Sequence, residues 1–261
     1  MRVRPESWLA DLLEAATKVF IAKGYRQAQM ADIAREMGVS QGTLYNYVRS
    51  KEALFLLVCQ QGFSDRPIAA PKEPPIASVS FEAMLQRISE QRPSSAQLAA
   101  LRAALRTKNP IDARGELEGV LRELYSVIER NRRGFDLVER SALAVPEMAQ
   151  MIFVEVRQKA VDAFRRYLTN RIESGHFRAV PDTATAARFI IEAVTWFARH
   201  RHTSPDSQII SDQDALETTI HFLVSALIPG DHQQAKGPRK GVRARQRIAS
   251  HPPLPPLAQR L

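Results

Sequence analysis

Met30-Ala-Asp-Ile-Ala-Arg-Glu-Met-Gly38-Val-Ser40-Gln-Gly-Thr-Leu-Tyr-Asn-Tyr-Val-Arg49 reads as two short helices around a glycine turn. In the first helix Ile33, Ala34 and Met37 recur on one side. Gly38 supplies the backbone angle that folds the second helix across the first. Ser40 is a good amino-terminal cap, and Val39 before it and Leu44 after it have the spacing of a hydrophobic staple. Ile33, Ala34, Val39, Leu44 and Val48 bury the angle between the two helices. Helix, glycine turn and helix in about twenty residues, 30–49, have the size and punctuation of a helix-turn-helix, whose second helix enters a major groove.

The outward row of that second helix follows Ser40: Gln41, Gly42, Thr43, Tyr45, Asn46 and Tyr47, polar and aromatic with no large aliphatic residue. Gln41 and Asn46 can read base edges, adenine best. Gly42 lets the helix start approach a groove closely. Tyr45 and Tyr47 offer hydroxyls to phosphates. Lys51 stands at the start of the next helix, where backbone N–H groups and the helix dipole already favour an anion.

Working outward, helical spacing continues almost everywhere. Leu9, Leu12, Leu13, Ala16 and Phe20 share one face of a helix over Ser7–Lys23, stopped by Gly24. Ser50 caps a fourth helix reaching about Phe63. Pro67, Pro71, Pro74 and Pro75 then mark the best domain boundary, giving units 1–64 and 65–230. Helical patterns resume near Phe81–Gln91, Ser95–Lys108, Ala113–Asn131, Pro146–Ser174 (stopped by Gly175), Asp182–Arg201 (capped by Asp182) and, capped by Ser211 or Asp212, up to about Leu227. No strand alternation and no internal repeat is legible, so the expected fold is all-α.

Composition agrees. Of 261 residues, 44% are hydrophobic and 25% charged, an ordinary globular balance. Eleven glycines are few, which disfavours turn-rich β folds and glycine-cradled nucleotide sites. The single cysteine, Cys59, excludes an intramolecular disulfide and fits a reducing cytoplasm. It lies on an apolar row and reads as an inert buried thiol rather than a redox sensor. The longest apolar runs, such as Ala53–Cys59, fall far short of the ~20 residues that span a bilayer. The formal charge of +9 is uneven: 8 basic and 6 acidic residues in 1–63, 22 and 21 in 64–229, 7 and 1 in 230–261. Residues 231–261 therefore read as a basic, proline-rich disordered tail, either merely solubilising or making a sequence-blind contact with a polyanion.

Gly24-Tyr25, Asp32-Ile33-Ala34, Gly38-Val39-Ser40, Gly42-Thr43-Leu44-Tyr45 and Ser50-Lys51-Glu52-Ala53-Leu54 together resemble the TetR/AcrR family of bacterial transcriptional regulators. The resemblance covers about residues 7–63. It implies a three-helix DNA-binding domain followed by a helical ligand-binding and dimerisation bundle. It also implies a homodimer, probing a palindromic operator as a repressor and released by an unidentified small molecule that enters the core of residues 80–203. An activator or a ligand-independent repressor is the alternative. DNA contacts are implied at Gln41, Gly42, Thr43, Tyr45, Tyr47 and Lys51. Ala28 departs from the pattern where a phosphate-touching threonine is common, which leaves Gln29 as its substitute. In such a family the last two long helices pack against those of a second subunit. That assigns Phe189, Ile190, Ala193, Phe197, Leu216, Ile220, Leu223 and Leu227 to a dimer interface rather than to a ligand pocket.

Rival readings are weaker. Gly38-Val39-Ser40-Gln41-Gly42 fits the G-x-S-x-G nucleophile elbow, but that motif needs a strand before the serine, and Ala31–Met37 has helical spacing. His200 and His202, two apart, point to different faces and read as helix-end groups rather than metal ligands. A helical protein–protein adaptor would show apolar anchors where Gln41–Tyr47 is polar. No catalysis, no cofactor, no metal and no membrane partner is expected.

Overall fold

Four capping side chains set the frame of the molecule. In the computed structural model, which describes residues 7–64, 66–69, 75–91, 98–207 and 209–229, Ser40, Ser50, Asp182 and Ser211 each accept a hydrogen bond from the backbone N–H three residues on. Such a cap contributes about 1 kcal/mol. The described residues are all-helical, with α1 (Trp8–Gln27), α2 (Met30–Glu36), α3 (Gln41–Tyr45), α4 (Lys51–Gly62), α5 (Phe81–Gln91) and α6 (Ala99–Arg106). These are followed by α7 (Ala113–Arg130), α8 (Arg132–Ala142), α9 (Pro146–Ala149), α10 (Lys159–Glu173), α11 (Thr183–Ala198) and α12 (Asp212–Leu227). A π-helical stretch, Gln150–Gln158, joins α9 to α10, and a 3-10 turn, His200–His202, follows α11. The expected tail, 231–261, lies outside the described residues.

Gly24 and Gly38 take φ of 74° and 72°, angles that side chains rarely adopt, so both predicted glycine punctuations are real. At Gly24 the chain kinks and then resumes one further helical turn to Gln27. One helix, α8, was hidden in the sequence. Only Asn131 separates it from α7, and it opens with Arg132-Arg133-Gly134, a polar run that masks its apolar face.

The core falls into two apolar clusters. The first is built on α1–α4, but it does not stop at residue 64. Met84 and Ile88 of α5, Leu137 and Val138 of α8, and Met148 and Met151 beyond complete it. The second joins α6, α7, α10, α11 and α12. There the fully buried Arg171 guanidinium forms a forked pair with Glu116 (2.7 and 2.9 Å) and donates to the Ala104 carbonyl (2.7 Å). The predicted interface residues Ile190, Ile220, Leu223 and Leu227 are all at most 5% exposed within this second cluster. They are core of the chain itself and offer no surface to a partner. The outer aromatics of the two last helices are instead Phe189 (66% exposed), Trp196 (38%) and Phe222 (69%), with Ala193, Phe197 and Leu216 half-buried.

Candidate nucleic-acid interface

Leu44 decides which way α3 faces. Its side chain is fully buried among Ile33, Ala34 and Val48, so the rest of the helix must point outward. Gln41, Gly42, Tyr45 and Asn46 are exposed, and Tyr45 is the one large hydrophobic side chain of α3 standing clear of the core. Ser40 Oγ accepts from the Thr43 N–H (3.1 Å) and pairs with the Thr43 hydroxyl (2.8 Å). Thr43 is thereby half-covered, and Ser40 does the work of a cap. Gln29 is exposed at the start of α2, where its N–H donates to Asp32 Oδ2 (3.1 Å). Hydrogen bonds from Lys23 and the Gln29 backbone hold the Asp32 carboxyl below its ordinary value. Ala28 is buried, so no side chain reaches outward from that position.

Two of the predicted DNA-contact residues, Tyr47 of the row and Lys51 after it, are placed otherwise. The Tyr47 ring is half-buried and stacks on Trp8, with centroids 4.7 Å apart and planes 20° apart. It joins the core with one face rather than standing in the row. Lys51 turns inward: its Nζ donates to the carbonyls of Tyr25 (2.9 Å) and Ala28 (3.2 Å) and lies 4.5 Å from the Tyr25 ring centre. Burial pushes its ammonium pKa down, and the neighbouring Glu52 partly restores it. Glu52 in turn accepts from the Tyr25 hydroxyl at 2.5 Å. Lys51 therefore fastens α4 to the α1–α2 junction.

Arg49 is a cation absent from the predicted contacts. It is exposed directly after the α3 turn, and its signal was its place beside the polar row. Its backbone is fixed by the interdomain connection, because Arg49 N–H donates to Ile76 O (3.0 Å) and Ile76 N–H donates to Tyr47 O (2.8 Å). The segment after α4 thus returns to brace the residues that follow α3.

A second feature lies behind this surface. A cavity of about 100 Å³ is lined by α7, α8, the π-helical stretch, α10 and α11. Its wall is apolar apart from Thr195 and an ion cluster, where Arg199 reaches Asp136 (2.6 Å) and Glu139 (2.5 Å), and Arg157 reaches Glu139 (2.5 Å). Burial raises the Glu139 carboxyl, but the Arg199 hydrogen bond and the Arg199 and Arg157 charges outweigh it and leave it below its ordinary value. The helix α8 serves both places. Phe135 and Glu139 line the cavity, while Ser141 Oγ accepts from the Tyr25 N–H (3.1 Å) and Arg140 donates to the Ala22 carbonyl (3.1 Å).

With this geometry, residues 12–58 match the family model described as bacterial regulatory proteins, tetR family. That stretch is a TetR-type amino-terminal domain, and the chain carrying it is a DNA-binding transcriptional regulator of that type, with its helix-turn-helix in this domain. Similarity to TetR-type regulators extends beyond this domain. The HTH-type transcriptional activator FasR of Mycolicibacterium smegmatis is 27% identical over 213 residues, 81% of this chain and 79% of that one. The uncharacterized HTH-type transcriptional regulator YfiR of Bacillus subtilis is 26% identical over 184 residues, 70% of this chain and 74% of its own. A solved bacterial regulatory protein of the tetR family from Rhodococcus RHA1 overlays with a TM-score of 0.49 at 17% identity, covering 87% of this chain and all of that one. Among the described residues no helix is long and apolar enough to cross a membrane.

Proposed function

We propose that the protein is a homodimeric repressor that lays two copies of α3 into the major groove of a near-palindromic operator. The carrying observation is the orientation of α3, which buries Leu44 and leaves Gln41, Gly42, Tyr45 and Asn46 facing out. Gln41 and Asn46 supply amides for base edges, Tyr45 a hydroxyl for phosphate, and Gln29 and Arg49 flanking contacts. A two-fold pair would set the half-sites a whole number of helical turns apart, about 34–36 Å each. The exposed aromatics Phe189, Trp196 and Phe222 support pairing through α11 and α12, because large aromatic groups are enriched at such interfaces.

Release by a small molecule is the second half of the reading. An engineered apolar cavity of about 150 Å³ accepts benzene, and the space beside Phe135 and Thr195 is about 100 Å³, so a compact, mostly apolar group would fit only as its walls move apart. The ion cluster there is already mutually paired, which favours an uncharged one. A ligand that binds better to a conformation with α8 displaced would draw α1 and α4 with it, through Ser141, Arg140 and the Phe63–Phe135 ring contact at 5.6 Å. A π-helical wall suits such a shift, since these segments recur at functional sites.

Activation is the second reading, favoured by the name of FasR, whose similarity spans 81% of this chain. Selecting bound fragments from a random duplex pool, then footprinting the winner relative to a promoter in a purified transcription assay, tests both readings. Two protected half-sites and reduced transcript support repression, and increased transcript supports activation. Protection without any sequence preference would overturn the reading of α3.

A further inference from the structure

Three groups able to ligate a metal meet where the end of α7, the 3-10 turn after α11 and the first residue of α12 come together. Glu129, His202 and Asp212 each place one donor atom within 4.8 Å of the others. His202 Nε2 is buried and has no hydrogen-bond partner among the described residues. A buried ring nitrogen left alone is costly, and a metal is one of the few partners that would satisfy it. An imidazole nitrogen with a free lone pair is the commonest protein ligand for such a metal.

The surrounding charges are mixed. Arg201 takes Asp212 Oδ1, but a carboxylate has a second oxygen to offer. The Glu129 and Asp212 carboxylates offset the two arginines. Glu129 and Asp212 also line a cleft of about 710 Å³ between α1, α4 and the α7–α8 corner, which gives a path from solvent.

We propose that Glu129, His202 and Asp212 bind a zinc ion, with water as the fourth ligand. One imidazole and two carboxylates suit a tetrahedral zinc site with an open position. Calcium would need six to eight oxygens and magnesium a near-ideal octahedron, which three groups do not provide. Zinc sits about 2.0–2.2 Å from such ligands, so small side-chain rotations close the triad. His200 takes no part, whereas His202, which the sequence reading took with it as a helix-end group rather than a metal ligand, is one of the three. The other ligands come from elements that sequence spacing could not bring together.

Equilibrium dialysis of chelator-stripped full-length protein against zinc chloride, with thermal unfolding in parallel, tests the site. The wild type should take up about one zinc per chain and melt at a higher temperature, reversed by chelator. His202→Ala and Glu129→Gln should each weaken uptake by at least about tenfold, the scale on which metal sites respond to lost support. His176→Ala, remote from the triad, should leave uptake unchanged. No zinc uptake by the wild type would overturn the site. So would wild-type uptake in Glu129→Gln, a near-isosteric change that decides the matter even where His202→Ala folds poorly.

Discussion

The Nζ of Lys51 lies 2.9 Å from the carbonyl oxygen of Tyr25 and 4.5 Å from the centre of its ring. Lys51→Ala should therefore act on stability first. Hydrogen bonds to charged groups contribute about 1.5–3 kcal/mol, and denaturant titration should show a loss of that order. The slope of log affinity for DNA against log salt should stay at the wild-type value, because no phosphate contact is removed. A slope reduced by about one would instead place the ammonium on the DNA.

Gln41→Ala should relax preference at a single base position, with about 1–3 kcal/mol of discrimination lost there. Tyr45→Phe should weaken binding to all sequences alike. Binding titrations on matched and singly altered operators separate the two patterns.

Gly62 and Gly134 bring α4 and α8 into near contact, and a Cβ on Gly62 would stand 2.8 Å from the Gly134 Cα. Gly62→Ala should force these helices apart and cost about 1–3 kcal/mol, as overpacking does. A lowered unfolding temperature checks it. Unchanged stability would mean that the helices slide freely.

Arg199 holds two carboxylates from a nearly buried position. Removing one partner of a buried pair costs about 3–5 kcal/mol, and Arg199→Met should approach the lower figure, since Arg157 still faces Glu139. The folded Glu139 carboxyl titrates below its unfolded value of about 4.3. Its stabilisation is thus complete above that pH and drains away as pH falls through the folded value. Thermal unfolding from pH 6 downward should show a shallower acid decline in Glu139→Gln than in the wild type.

Phe222→Asp places a charge on the exposed face of α12. Sedimentation should show the wild type paired, as proposed, and this variant monomeric, with operator affinity falling accordingly. Paired Phe222→Asp protein would move the interface off this face.

Much of this was legible along the chain. Ser40, Ser50, Asp182 and Ser211 announced their helices, and Gly24, Gly38 and Gly175 all take positive φ, because caps and glycine turns are local physics. What depends on distant partners was not. The α11 and α12 stripes are apolar on more than one side, so spacing could not tell buried Ile190 from exposed Phe189. Lys51 looked like a free cation because the carbonyls it meets belong to another helix. A π-helical register leaves no mark in residue type, so Gln150–Gln158 passed as ordinary helix.

The pairing of Ile76 with Tyr47 and Arg49, together with Met84 and Ile88 in the first cluster, bears on how this regulator can be rebuilt. A chimaera spliced at the proline-rich connection would strand half of the reading head's supports on the discarded partner. Grafting its specificity onto another scaffold calls for a junction beyond residue 91 and for the matching face of α8 to travel with it.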